Sequence, residues 1–394
     1  MKASIIITSF NSSERLYYNL LALNNQIYPH DDFEVIVVNN GSYDDTENML
    51  STFVSNFPLK KIRLDVNKGI ARGRNKGIEQ ASGDILIFHD SDMIASKDFV
   101  TKHVEAHDRE NVVVCGVPWL RVYSYYYKDF LPYQLKDFFK RADKYKLPID
   151  YWQNEKYQLI TQDQIIDETF LNYAFDLEMD FITDLKETIK IYGQDLNGYN
   201  IPWRFFITNN ASVDRRQVIS LGMFDENIIK YGFEDYDLGI RLYKAGNKFK
   251  LAYDIISVHQ EHLKNASNDS APVNISYLCT KYNNIYFLDM LLICLSLVIP
   301  MDHHEINNVI SEINQLNILG KYKDLLNTFL KILQVAIDIC VRNNTTTKLL
   351  LFPELEKNFE KTKTQLIKLQ KLHGMSHFPY MFFGLTKSIF NLTI

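Results

Sequence analysis

Four groups of residues carry side chains suited to chemistry. Asp90 and Asp92 stand at alternate positions in Phe88-His89-Asp90-Ser91-Asp92, directly after an apolar run that reads as a buried strand. Two carboxylates at a strand end can share one divalent cation through hard oxygen donors, and without an ion the same pair repels a diphosphate. The pattern suits a Mg²⁺ or Mn²⁺ site, while a solvated acidic turn is the plain alternative. Glu234, Asp235 and Asp237 open a helical pattern in Tyr231-Gly232-Phe233-Glu234-Asp235-Tyr236-Asp237. They can simply complement the helix dipole, or one can act as a general base toward a hydroxyl. His259 and His262, in Val258-His259-Gln260-Glu261-His262, end another strand, and one imidazole could complete a metal shell. Asn67-Lys68-Gly69 and Arg72-Gly73-Arg74-Asn75 combine cations that can meet phosphate charge with glycines that admit a ligand close to the backbone. A basic solvated helix face would read the same.

The elements that must position these groups alternate along the first 115 residues. Strands are expected over Ser4–Thr8, Glu34–Val38, Lys61–Asp65, Gly83–Phe88 and Val112–Val114. Helices are expected over Ser13–Asn25, Asp45–Phe57 and Gly69–Ala81, and Asn39-Asn40-Gly41-Ser42 reads as a turn. This rhythm predicts an α/β fold with a doubly wound, mostly parallel sheet, in which ligands bind beyond the carboxyl ends of the strands. From Trp119 the rhythm dissolves into an insertion of helices and loops rather than sheet. Regular structure is expected to resume at Phe205–Thr208, with a helix over Asp235–Lys244 and a strand over Phe249–His259 to follow. After the polar break Asn265–Pro272, apolar residues at helical spacing (Leu325, Leu326, Phe329, Leu330, Leu333, later Leu366, Leu369, Leu372) predict a helical bundle. The expected division is 1–118, 119–204, 205–265 and 275–394.

Composition excludes several classes. The 394 residues are 46% hydrophobic and 23% charged with net charge −5, which rules out wholesale disorder and a non-specific nucleic-acid binder. Cys115, Cys279, Cys294 and Cys340 have no metal-ligand spacing and read as structural thiols of a reducing compartment. The N-terminus runs straight into a strand rather than a leader. The longest apolar run, Ile285 to Ile299, contains Asp289 and falls short of the roughly 20 residues of a bilayer crossing, so no transmembrane segment is expected. A cytoplasmic protein is the expectation, with a peripheral place at the inner face of a membrane left open. Aromatic residues make up 13% of the chain, and all three tryptophans (Trp119, Trp152, Trp203) fall in a ring-rich stretch between 119 and 206. Those rings suit the apolar faces of sugars, with Trp203 the first candidate, or form a compact core.

Taken in order, Thr8-Ser9-Phe10-Asn11, Asn39-Asn40-Gly41-Ser42, Asn67-Lys68-Gly69 with Arg74-Asn75-Lys76-Gly77, and Asp90-Ser91-Asp92 resemble the nucleotide-binding half of family-2 glycosyltransferases of the GT-A fold. Thr208-Asn209-Asn210-Ala211-Ser212, Gly222-Met223-Phe224-Asp225-Glu226, Tyr231-Gly232-Phe233-Glu234-Asp235 and His259 are similar to the catalytic half of chondroitin-polymerase-like and galactosyltransferase-like members. The resemblance covers about residues 1–262. It implies that Thr8, Phe10 and Asn40 line a uracil pocket, with Lys68 and Arg74 near the nucleotide. It implies Asp90 facing ribose and metal, Asp92 and His259 as metal ligands, Asp235 as catalytic base, and Glu234 and Tyr231 on the acceptor side. Asn39-Asn40 replaces a frequent Asp-Asp, and Tyr231 stands where relatives often carry Trp. The implied activity is metal-dependent, inverting transfer from a UDP-sugar to an acceptor hydroxyl, with Mn²⁺ or Mg²⁺, in bacterial surface or capsular polysaccharide or glycoconjugate synthesis. A glycan, a lipid-linked glycan or a peptide could be the acceptor. The alternatives are a protein glycosyltransferase of the same fold, a silent nucleotide-sugar-binding module, and a sugar nucleotidyltransferase, which would want glycines that Thr8–Ser13 lacks. The C-terminal helices read as an accessory bundle, with acceptor docking, oligomerisation, or lipid contact through Lys361, Lys363, Lys368 and Lys371 as alternatives.

Overall fold

The computed structural model describes residues 1–116, 120–264 and 271–390, so Trp119 and most of the polar break lie outside the described residues. Two compact units result, one built from residues 1–197 and 202–264 and the other from 198–201 and 271–390.

In chain order the strands of the first unit are β1 (Ala3–Ser9), β2 (Phe33–Asn40), β3 (Leu59–Leu64), β4 (Ile85–His89), β5 (Met93–Ala95), β6 (Val112–Cys115), β7 (Leu120–Val122), β8 (Tyr125–Tyr127), β9 (Lys156–Gln158), β10 (Phe175–Asp176), β11 (Asn210–Asp214), β12 (Lys248–Leu251) and β13 (Ser257–Gln260). The main sheet runs β12-β6-β11-β4-β1-β2-β3, and only β11 lies antiparallel to its neighbours. Covered on both faces, the central strands are continuous apolar runs: Ile5, Ile6, Ile7 and Val35 to Val38 are at most 1% exposed. Each such side chain contributes about 1.5–3 kcal/mol of apolar burial. Edge strand β3 (Leu-Lys-Lys-Ile-Arg-Leu) instead turns its charges outward, which discourages edge-to-edge pairing.

Three expectations are corrected. Regular structure does not resume at Phe205–Thr208: Pro202–Phe205 is a 3₁₀ turn, and the next strand starts at Asn210, opposite His89. Phe205 and Phe206 signalled burial, not extension, with Phe206 edge-on to Phe88 at 6.2 Å. The single strand expected over Phe249–His259 is two, β12 in the main sheet and β13 in a second sheet ordered β10-β7-β13-β5. The insertion also contains sheet. β7 and β10 belong to the second sheet, and β8 pairs with β9, as β-favouring Leu-Arg-Val and Tyr-Tyr-Tyr segments allow.

Most of the insertion's rings pack on one another. Tyr123 lies 5.2 Å from Phe138 and 5.6 Å from Phe175, Tyr145 stacks on Tyr173 at 5.0 Å, and the Arg141 guanidinium caps Phe175 at 3.9 Å. The aromatic excess is largely a core.

The second unit is helical: Ala271–Lys281, Leu288–Ser296, His303–Leu319, Lys323–Cys340, Thr346–His373 and His377–Phe390. The expected stripe Leu325, Leu326, Phe329 and Leu333 is buried, as are Leu366 and Leu369, whereas Leu372 is exposed. The Glu312 carboxylate accepts the N–H groups of Ser376, His377 and Phe378, satisfying the free donors that open the last helix. No described helix is long and apolar enough to cross a membrane.

Behind the main sheet, His103 on the helix Phe99–Ala106 bonds Ser212 and Asn210 of β11 at 2.9 Å each, and His107 bonds Ser212 at 2.8 Å. Burial pushes the His103 imidazole down to about 3 and His107 to about 4. Both pKa values are lowered on folding, so the unfolded chain binds protons first and stability falls as pH drops below about 6.5. For His103 alone the loss is about 2 kcal/mol by pH 5. Urea midpoints should therefore decline between pH 6.5 and 4.5, and His103→Gln should flatten that decline; an unchanged slope would remove this histidine from the acid response.

Candidate active site

β1, β2 and β4 run parallel, so their carboxyl ends bring Thr8, Asn40 and Asp90 to one edge of the sheet. A cavity of about 740 Å³ opens there, lined by Thr8, Phe10, Asn40, Asp90, Asp92, Tyr231 and His259 among the expected residues. Thr8 Oγ1 is buried without a hydrogen-bond partner, and Phe10 stands edge-on to Tyr43 at 5.9 Å. Asn40 organises the neighbouring loop: its Oδ1 accepts the Lys68 N–H, and its Nδ2 donates to Asn67 Oδ1 and the Gly69 carbonyl. Gly69, at φ +88°, also lets the 225–231 loop approach, because a Cβ there would lie 2.6 Å from the Ile229 oxygen.

The turn bearing Asp90 and Asp92 is held from several sides. Asn19 Nδ2 donates to the Asp90 carbonyl at 2.8 Å and lies 3.1 Å from the His89 ring, whose other nitrogen meets Ser257 at 2.8 Å. Ser9, Ser12 and Ser91 form a hydroxyl relay with steps of 2.8 and 2.9 Å. The Gln260 N–H donates to the Asp92 carbonyl at 2.8 Å, so β13 carries His259 to the same turn.

Arg74 is the hub. Only 3% exposed, it donates from Nη2 to Asp90 at 2.9 Å and from Nη1 to Glu234 at 2.5 Å, and it lies over the Phe224 ring. Burial opposes its charge, but Asp90 and Glu234 hold it firmly protonated. Burial raises Asp90, with Arg74 pulling against it and Asp92 adding to it. Asp235, half-buried in the first turn of the helix Glu234–Lys244, is pushed up to about 8 by burial and the adjacent Glu234. Asp92 moves the other way: burial would raise it, but His259 and His262 outweigh burial and hold it well below the usual carboxylate range.

Four expectations change in position. Arg74 is locked between carboxylates rather than free for phosphate. Glu234 is 2% exposed, and its oxygens are taken by Arg74 and the Gly232 N–H, so it anchors Arg74 instead of meeting an acceptor. Lys68 contributes its backbone to the Asn40 loop, and its side chain does not line the cavity. Trp203 is fully buried, edge-on to Tyr236 at 5.5 Å, because its large apolar ring fills core space beneath the helix. Asn67, Ser91 and Asn209, which the sequence motifs contain without a role of their own, also line the cavity, as do Arg121, Ile229, Leu263 and Lys264, which the sequence did not single out. His262 joins Asp92 and His259 in the one group of metal-ligating side chains that converge among the described residues, its Nε2 lying 3.2 Å from Asp92 Oδ2. Oxygen and imidazole donors on one side of a cavity suit a divalent ion.

A mostly parallel sheet with carboxylates beyond its strand ends and a catalytic half returning through β11 is the GT-A fold. Residues 4–165 match the model of glycosyl transferase family 2. An uncharacterised glycosyltransferase of Bacillus subtilis (strain 168), YfnE, is 43% identical across 100% of this chain and 98% of its own length. The chondroitin synthase of Escherichia coli is 28% identical over 292 residues, 72% of this chain but 38% of the synthase. Among solved structures, Staphylococcus aureus TarS 1–349 with UDP-GlcNAc aligns at 14% identity over 92% of each chain, with a TM-score of 0.44. The chain belongs to glycosyl transferase family 2.

Removing Arg74 would leave buried Glu234 without its counter-charge, a change that typically costs about 3–5 kcal/mol. Arg74→Ala should therefore lower the unfolding midpoint sharply, whereas Arg72→Ala, which loses only the exposed pair with Glu226, should leave it within about 0.5 kcal/mol. Equal shifts in a denaturant titration would contradict the clamp.

Proposed function

We propose that the protein transfers a sugar from a UDP-sugar to an acceptor hydroxyl, with divalent-metal assistance and inversion at the anomeric carbon. One observation carries this reading: a cavity at the carboxyl ends of β1, β2 and β4 has Asp90, Asp92 and His259 in its wall, with Asp235 tied to the same electrostatic network. Thr8, Phe10 and Asn40 would hold the base, and Asp90 would face the ribose. Mn²⁺ or Mg²⁺ held by Asp92 and His259 would neutralise the donor diphosphate. The acceptor oxygen is a weak nucleophile until its proton is removed, and Asp235 takes that proton as the oxygen attacks from the face opposite the leaving UDP. Arg74 keeps Asp90 and the helix bearing Asp235 in fixed relation. The relatives named chondroitin synthase and hyaluronan synthase support a polysaccharide or glycoconjugate product. The four cysteines are free thiols, which supports action in the reducing cytoplasm.

A base titrating near 8 gives kcat/KM an acidic limb, falling about tenfold per pH unit below that value. The same shift acts oppositely on stability. The folded carboxyl is raised above its unfolded value, so its contribution is lost as pH rises through about 8. UDP release from a panel of UDP-sugars with Mn²⁺ should be abolished by EDTA and reduced at least about 100-fold by Asp92→Asn and Asp235→Asn. No release from any donor, or an Asp235→Asn enzyme of near-normal rate, would refute the reading.

A further inference from the structure

We propose that His262 is a third protein ligand, so that Asp92, His259 and His262 hold an imidazole-favouring divalent cation of the Mn²⁺, Co²⁺ or Zn²⁺ type before any nucleotide arrives. This rests on the metal-dependent reading above and extends it from two side chains to three. Asp92 Oδ2 lies 3.2 Å from His262 Nε2 and 3.6 Å from His259 Nε2, and one donor atom from each of the three residues falls within 4.8 Å of the others. Two donors each about 2.1 Å from a shared ion can span the 3.2 and 3.6 Å separations from Asp92.

The surroundings hold His262 in place for this task. Its Nδ1 is 2.8 Å from the Leu263 carbonyl; a proton on Nδ1 donated there leaves Nε2 as the lone-pair nitrogen, on the side of Asp92. Gln134, itself 2% exposed, donates to the His262 carbonyl at 2.9 Å and fixes the main chain. His259 has Glu261 Oε1 3.8 Å from its Nδ1, and Glu261 is tied to Arg121. Glu261 also donates its N–H to the Val122 carbonyl, which locks the stretch between the two imidazoles. The three side chains remain 18–26% exposed to the cavity, so an ion can reach them. Two carboxylate or imidazole contacts leave most of an ion's shell to a nucleotide, whereas three can retain it alone. Two nitrogens among three donors also favour Mn²⁺ and later first-row ions over Mg²⁺.

The test uses the full chain stripped with EDTA and no nucleotide, titrated with Mn²⁺ while free Mn²⁺ is read by electron paramagnetic resonance. One site per chain is expected, with no competition by equimolar Mg²⁺. His262→Ala should weaken Mn²⁺ binding at least about tenfold, and His262→Asp, which restores a donor atom, should recover part of it. Far-UV circular dichroism of both variants separates ligand loss from unfolding, and the recovery by Asp keeps the outcome decisive. Mn²⁺ that binds the wild type only after UDP is added, or binds wild type and His262→Ala equally, overturns the third ligand and leaves the proposed transfer standing. No Mn²⁺ binding even with UDP overturns both.

Discussion

The site depends on one electrostatic constraint: four carboxylates, Asp90, Asp92, Glu234 and Asp235, lie within electrostatic reach of one another around Arg74. At an effective dielectric of about 20, two like charges 4 Å apart repel by about 4 kcal/mol, so such a cluster needs counter-charge within the fold. Arg74 supplies it on one side by bridging Asp90 and Glu234, and on the other side Asp92 stands beside the imidazoles of His259 and His262. The result is division of labour between chemically similar groups. Asp92 is held well below the usual carboxylate range and Asp235 is pushed up to about 8, the separation that the proposed roles of metal ligand and proton acceptor call for.

Neutralisation by Arg74 also fixes the geometry of the helix Ile70–Gln80. Gly73 lets that helix rest directly on the end of β1, since a Cβ there would lie 2.4 Å from Thr8 Cγ2. Asn75 exchanges hydrogen bonds with both the N–H and the carbonyl of Phe224. One helix thereby touches the end of β1 at Thr8, the carboxylate turn and the loop leading to Asp235. The insertion performs the matching task for the imidazoles. Its β7 pairs with β13, Arg121 binds Glu261, and Gln134 holds the His262 backbone. Its aromatic core therefore stiffens the platform on which His259 and His262 stand, a role closer to scaffolding than to a wall of sugar-facing rings.

The sequence by itself determined the parts governed by short-range pattern. Continuous apolar runs mark β1, β2 and β4 because strands covered on both faces need no polar alternation, and the polar residues that follow them (Thr8, Asn40, Asp90, Asp92) are bound to meet at one sheet edge. The heptad-like apolar spacing of the C-terminal segment likewise required helices. The tertiary structure alone decided what depends on contacts distant in sequence. Whether Arg74 faces a phosphate or the buried Glu234, 160 positions away, is set by how the helix Glu234–Lys244 docks. Whether Trp203 faces a sugar or fills the core is set by the space beneath that helix. Which of two strand-end histidines approaches Asp92 depends on the backbone bond from Gln260 to the turn bearing Asp92, and the answer is both. Residue type fixes what a side chain can do; only the balance of burial and counter-charge around it, a long-range property, decides which of those things it does.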